Sequence, residues 1–166
     1  MNASAPDIDL RDGTCFSRTL TFQGQPQAIL AAWCDLAVQS RLFEGAATPV
    51  EVDERGTLWQ VRLPLGRQTL AWQRLMEKDA DHALHAIEGD DGWAAMARLS
   101  CAPARARSGI EVTLTLQYAT EGVVAAVLKQ LLDPAPSLLA GEVLRRLRAY
   151  IEAGEVPSLA PLPAHR

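Results

Sequence analysis

The sequence predicts an α+β protein in which a curved antiparallel sheet wraps around a long C-terminal helix and encloses an internal cavity, in the order β-αα-β6-α. Three observations carry that expectation. An alternating run near the N-terminus leads into two helical stretches, six alternating runs follow in series between Pro49 and Tyr118, and helical spacing returns between Leu139 and Ile151.

Residues 1–14 are polar, lack periodicity and read as a flexible arm. In CFSRTLTF, Phe16, Arg18, Leu20 and Phe22 share one face while Cys15, Ser17, Thr19 and Thr21 share the other, which predicts a strand. GQPQAILAAWCDL follows, with Pro26 near a helix start and apolar residues at Ile29, Leu30, Trp33 and Leu36. A short second helical turn through AVQSRLFEG leads to Gly45. The six runs PVEVDE, TLWQVRL, QTLAWQRLMEK, HALHAIEG, WAAMARLSC and GIEVTLTLQY are separated by turn signals, so they form a meander with short hairpins. The last alternates most cleanly, with Ile110, Val112, Leu114, Leu116 and Tyr118 on one face. Beyond it, Gly122 to Leu132 is apolar on more than one side, and Asp133-Pro134-Ala135-Pro136 breaks the chain before a helix that runs to about Ala153. Residues 15–153 thus read as a single domain and 154–166 as an extended Pro-rich tail.

The final helix decides between two functional classes. Its apolar residues Leu139, Ala140, Val143, Leu144, Leu147, Tyr150 and Ile151 form one continuous stripe, and Arg145, Arg146 and Arg148 fall outside it. Burying a leucine or isoleucine contributes about 1.5–3 kcal/mol, whereas an exposed pair such as Glu142 with Arg146 adds only about 0.3–0.5 kcal/mol. Packing therefore places this helix, and its arginines read as a solvated basic face rather than a nucleic-acid surface. A net charge of −4 agrees, and the sixteen basic residues, fourteen of them Arg, are spread along the chain.

At 166 residues, a chain of ordinary composition buries roughly 70% of its unfolded surface and needs no disulfide or metal for stability. Cys15, Cys34 and Cys101 are odd in number and lack Cys-x-x-Cys spacing, which suits free thiols in a reducing compartment. The N-terminus shows no secretory pattern, and GVVAAVLKQLL is too short and too interrupted to span a bilayer. A cytoplasmic protein, monomeric or homodimeric, with no cofactor, nucleic-acid partner or membrane span is expected.

Several segments resemble a known family. EGVVAAVLKQLLDPAPSLLAGEVLRRLRAYIEAGEVPSLAPLPAHR follows a pattern of a glycine-led helix, Asp-Pro, a Leu-Arg-Arg helix and then Glu-x-Gly-Glu-x-Pro. ILAAWCDL, LWQVRLPLGR and IEGDDGW match more weakly. The chain in this respect resembles the START/Bet v 1-like (SRPBCC) superfamily in its bacterial polyketide cyclase/dehydrase-like branch, over about residues 15 to 166. The resemblance implies a helix-grip fold with a ligand cavity between sheet and C-terminal helix. Two places depart from the branch: SRLF keeps Phe43 without a preceding proline, and HALHAIEG offers Leu84 and His85 where an aromatic is common.

The residues hold no recognisable catalytic motif. His82 and His85, three apart on a strand, project to opposite faces and cannot share one metal, so no metal site is expected. Asp90 and Asp91 between Gly89 and Gly92 read as hairpin chemistry. No Gly-x-Ser-x-Gly elbow or phosphate-binding glycine loop is present. Trp59, Trp72, Trp93, Met96 and Tyr118 are candidates for an apolar cavity wall, completed by Leu114 and Leu116 from the last strand and Leu144 and Leu147 from the helix. Arg98 shares a face with Met96 and, if inward, would bind a carboxylate, phosphate or enolate.

Three functions are compatible with these features. The first is a non-catalytic carrier or sensor of a small hydrophobic or amphipathic molecule. The second, implied by the resemblance, is a cyclase/dehydratase-like enzyme in which Arg98 or His85 moves protons. The third is a protein-interaction module that uses the outer sheet or the basic helix face.

Overall fold

In the computed structural model, residues 14–62, 66–89, 92–119, 122, 124–126 and 136–156 are described. The expected arm up to residue 13, the Asp90-Asp91 turn, most of the apolar run from Gly122 to Leu132 and the tail beyond residue 156 lie outside them. Strand β1 (Thr14–Phe22) precedes helices α1 (Pro26–Cys34) and α2 (Leu36–Leu42). Six strands follow, β2 (Ala47–Asp53), β3 (Gly56–Arg62), β4 (Gln68–Lys78), β5 (His82–Gly89), β6 (Gly92–Pro103) and β7 (Ile110–Tyr118), before the long helix α3 (Pro136–Ala153). The fold is α+β with the helix-grip order expected from the sequence.

All seven strands form one curved antiparallel sheet in the order β1-β7-β6-β5-β4-β3-β2. Consecutive strands of the meander pair antiparallel, and β1 closes the series by pairing with β7 in unbroken register from Thr14↔Tyr118 to Phe22↔Ile110. Register shifts near Val50, Met76 and Ala94 insert bulges into β2, β4 and β6. A bulge increases local twist and bend, and here it also exchanges which residues face inward. The hairpin between β2 and β3 relies on Gly56, at φ +125°, because a Cβ there would overlap the Gln73 carbonyl oxygen on β4.

Alternation then sorts the two faces. Phe22, Val112, Leu114, Leu99, Cys101 and Ala83 point into the concave side and are buried against Ile29, Leu30 and Trp33 of α1 and Val143, Leu144 and Leu147 of α3. On the convex side, β1 and β7 carry a polar ladder, with Ser17 bonded to Thr115 at 2.9 Å and Thr19 to Thr113 at 2.8 Å. This polar ladder lets one face meet water while the other is sealed.

Helix α3 departs from the sequence expectation at one residue. Arg145 is exposed, but Arg146 is buried at 6% relative exposure. Its Nη1 donates to the Leu42 carbonyl at 2.8 Å and the Glu44 carbonyl at 3.4 Å, and its Nε lies 3.3 Å from Glu142 Oε1 without hydrogen-bond alignment. The guanidinium thus sits on the free carbonyls at the C-terminus of α2, where a cation is favoured by both hydrogen bonding and the helix dipole. The face of α3 covered by its neighbours is wider than a single apolar stripe, because the helix touches α1 and α2 as well as the sheet. Spacing on one helix does not reveal a second neighbour.

Removing this guanidinium strands two carbonyls and a half-buried carboxylate. Arg146→Ala should therefore lower the free energy of urea unfolding by roughly 2–4 kcal/mol, while Arg145→Ala, on the exposed side, should cost less than about 0.5 kcal/mol. Equal effects of the two substitutions would refute the docking role. Gly56→Ala should cost about 2 kcal/mol or more, since it meets backbone rather than a side chain that can move.

Candidate functional site

The helix pair α1–α2 is built to present side chains to the concave face. Pro26 occupies the first turn of α1, where its missing N–H costs nothing. Asp35 ends α1 and caps α2, its side chain accepting from the Val38 N–H at 3.1 Å. Gln39, at 3% exposure, donates through Nε2 to the Trp33 carbonyl at 2.7 Å. This bond ties α2 back to the end of α1 and holds the backbone that carries Trp33.

From that junction four rings cross the interior. His85 of β5 meets Trp33 edge to face at 6.2 Å between centroids. Trp33 meets Phe43, just after α2, at 6.2 Å. Phe43 meets Trp59 of β3 at 5.8 Å. These spacings and interplanar angles of 66–84° are those of favourable edge-to-face aromatic contacts. The far end is satisfied, since Trp59 Nε1 donates to Gln73 Oε1 at 3.0 Å. The near end is not. Trp33 Nε1 and His85 Nδ1 are buried and have no hydrogen-bond partner among the described residues.

Under the rings, Ala71 of β4 pairs with Trp59, and toward the β7 end the β6 alanines Ala94, Ala95 and Ala97 are buried beside Ile87, Leu116, Tyr118 and Val124. Beside the Trp59 end, a groove of about 650 Å³ is lined by Ser40, Arg41, Glu44, Thr48, Pro49 and Val156, among others. Pro49 pairs directly with Trp59 across β2 and β3, so the groove adjoins the row of rings. Its volume is within the usual range for small-molecule sites, roughly 300–1,000 Å³.

The expected cavity residues separate into three groups. Trp59, Leu116 and Tyr118 are on the concave face, beside the small alanines. Leu114, Leu144 and Leu147 are also inward but are sealed in the main core that docks α3. Trp72, Trp93, Met96 and Arg98 are on the convex face, which corrects the expectation that they line a cavity. Trp72 pairs with Leu58 and Glu88, while Ala71 and Gln73 beside it point inward. In β6, Met96 and Arg98 alternate with the buried Ala95, Ala97 and Leu99, and the bulge at Ala94 leaves Trp93 opposite Glu88. Arg98 is exposed, so it does not present an enclosed guanidinium to a ligand. The convex tryptophans instead stack under arginines, with Arg55 4.5 Å from the Trp72 ring centre and Arg74 5.7 Å from that of Trp93.

Electrostatics divide the two histidines. His85 is on the concave face at 4% exposure, and burial pushes its pKa down to about 4, so the ring is neutral near pH 7. His82, at the turn before β5, is flanked by carboxylates on both nitrogens, Asp81 Oδ1 at 3.0 Å from Nδ1 and Glu77 Oε1 at 2.9 Å from Nε2. A neutral ring has one N–H and can satisfy only one of them. Those hydrogen bonds, to Asp81 and then Glu77, raise its pKa above 6.5. Glu77, Asp79 and His82 bring ligand atoms within 4.8 Å of one another, a proximity that the clasp around the imidazolium accounts for. Burial pushes the Cys101 thiol up to about 11 and also raises that of Cys34, so neither supplies a thiolate near neutral pH.

Trp33, Phe43, Gln39 and Gln73 are the site residues that sequence reasoning did not assign to it. A tryptophan and a glutamine on the buried side of two short helices were the available signal, because each carries a polar atom that burial must reconcile.

No family model and no curated protein matches the chain. Solved structures do. A conserved protein from Geobacillus kaustophilus superposes with a TM-score of 0.63 at 16% identity, covering 83% of this chain and 95% of that one. A protein from Deinococcus radiodurans gives 0.59 at 19% identity, covering 85% and 99%. The di-domain ARO/CYC StfQ from the steffimycin biosynthetic pathway gives 0.57 at 13% identity over 87% of this chain and 53% of its own. At such identities the likeness shows the fold alone. It is the helix-grip fold expected from the sequence.

The two histidines should pull stability in opposite directions with pH. For His85, the folded state binds fewer protons than the unfolded state between pH 6.5 and about 4, so stability falls on acidification through that window by roughly 3 kcal/mol at most. His85→Phe should abolish most of that loss in urea titrations at pH 7 and 4.5. For His82, the contribution is present below pH 6.5 and is lost as pH rises through its elevated pKa. His82→Gln should therefore be more destabilising at pH 6 than at pH 9, and a constant difference would show that the ring is not an imidazolium in the fold.

Proposed function

We propose that the protein binds a small hydrophobic or amphipathic molecule on the concave face of its sheet and acts as a non-catalytic carrier or sensor. The observation that carries this reading is the row of rings from His85 to Trp59 beside the small side chains of Ala71, Ala95 and Ala97. A curved sheet filled by large residues would close on α3, as it does around Leu114, Leu144 and Leu147. Where the inward residues are alanines, a face of small side chains lies under Val124 and Phe43, and a guest that enters there displaces least. The groove beside Pro49 supplies an approach from the β2 side.

A second reading is favoured by one observation. His85 is buried and neutral, with Nδ1 unpaired among the described residues, so it is free to accept a proton, and a cyclase/dehydratase-like reaction with His85 as general base is the alternative. The likeness to StfQ is compatible with it at the level of fold. An exposed convex-face Arg98 takes no part in either reading.

Native mass spectrometry of freshly purified protein, followed by organic extraction, tests the binding reading. A small molecule near one per chain is expected, and Ala95→Leu with Ala97→Leu should reduce its occupancy at least about fivefold by filling the space it uses. Unchanged occupancy in that double variant would place the guest elsewhere. Turnover by the extracted class of molecule that disappears in His85→Phe would favour the enzyme over the carrier.

A further inference from the structure

Two buried ring nitrogens on side chains in contact, both without partners among the described residues, are uncommon in a folded protein. Trp33 is 2% exposed and His85 4% exposed, their ring centres are 6.2 Å apart, and Trp33 Nε1 and His85 Nδ1 are unpaired among the described residues. Buried polar groups are hydrogen-bonded in the great majority of cases, and an orphan costs roughly 1–3 kcal/mol. The equivalent donor at the other end of the row, Trp59 Nε1, does have its acceptor in Gln73. The protein thus provides for one indole and leaves the other, together with the adjacent imidazole, to be served by something else.

Resting on the binding reading above, we infer that Trp33 Nε1 and His85 form a polar anchor for a neutral oxygen, a carbonyl or hydroxyl, carried at one end of an otherwise apolar ligand. The chemistry of the pair defines that class. An indole N–H can only donate, so its partner must be an acceptor. The imidazole is neutral at pH 7 because burial disfavours its charge, and no Lys or Arg lies in the row of rings, so a carboxylate would enter without a counter-ion. Aliphatic and aromatic surroundings supply affinity for the remainder of the molecule. Gln39 holds the Trp33 backbone in place before binding, so the donor is positioned in advance.

Three probes of one skeleton separate the outcomes: 2-acetylnaphthalene, 2-ethylnaphthalene and 2-naphthoate, titrated into the full chain at pH 7.5 by calorimetry and by the indole N–H resonances in a nitrogen–proton correlation spectrum. The ketone should bind at least about tenfold more tightly than either of the others, as expected for one or two neutral hydrogen bonds. The Trp33 indole proton, assigned from its absence in Trp33→Phe, should move downfield with the ketone and not with the hydrocarbon. Trp33→Phe and His85→Phe should each reduce the preference for ketone over hydrocarbon about fivefold. Equal affinity for ketone and hydrocarbon would overturn the anchor while leaving the binding reading intact. A naphthoate as tight as the ketone would overturn the neutral class. Absence of binding by all three would remove the binding reading and the anchor with it. The wild-type preference and the indole shift decide the matter even where a variant does not fold.

Discussion

The ladder between β1 and β7 is the constraint on which the rest of the structure depends. It joins strands separated in the chain by two helices and five other strands, and its register is unbroken throughout. Because β1 is held at that edge, the helices that follow it must fold back over the concave face rather than away from it. Helix α3, arriving from the other end of the chain, then finds β1 as its main neighbour in the sheet. A single sheet with one apolar face cannot be stable uncovered, and this ladder brings both covering units to the same side.

The coverage is uneven, and the unevenness has functional meaning. Over β1, β7 and the adjoining part of β6, the leucines and valines of α3 interlock with Phe22, Val112, Leu114 and Leu99. Over β3 to β5 the inward residues change to alanines and aromatic rings, and α1 and α2 contribute Trp33 and the neighbouring Phe43. Arg146 holds these regions together, because its guanidinium on the end of α2 fixes the helix pair against α3. A buried cation in this position is tolerable because two carbonyls and the Glu142 carboxylate surround its guanidinium. Rigid packing on one side thus supports an interior on the other where the ring nitrogens Trp33 Nε1 and His85 Nδ1 are unpaired among the described residues.

The polar groups of the interior follow one rule. Gln39 satisfies the Trp33 carbonyl, Gln73 satisfies the Trp59 indole, and Arg146 satisfies the end of α2. Against that background Trp33 Nε1, His85 Nδ1 and Arg146 Nε are left without a hydrogen bond among the described residues, and of the three Arg146 Nε has a carboxylate beside it, Glu142 Oε1 at 3.3 Å. On the convex face the same residue types behave differently. Trp72 and Trp93 lie under arginines, His82 is clasped by acids, and solvent meets what the protein leaves unpaired.

Much of the fold was legible in the sequence. The six alternating runs between Pro49 and Tyr118 became β2 to β7, and the stripe at Leu144 and Leu147 became the buried side of α3. These features depend on local periodicity, which each segment carries by itself. Site membership was less accessible. The sequence named Trp59, Trp72, Trp93, Met96, Arg98, Leu116 and Tyr118 together as cavity candidates, and the strand registers separate them, with Trp59, Leu116 and Tyr118 on the concave side and Trp72, Trp93, Met96 and Arg98 on the convex one. A strand's alternation states which residues share a face, but which face is inward depends on its partner's register and on bulges such as that at Ala94. Arg146 illustrates the same limit for a helix, since only the position of α2 makes its guanidinium a buried ligand of carbonyls. The sequence by itself determined the elements, their order and the apolar stripe of α3, because those arise from neighbours along the chain. The tertiary structure alone decided the inward faces and the meeting of Trp33 with His85, because those arise from pairings between residues that are distant in sequence.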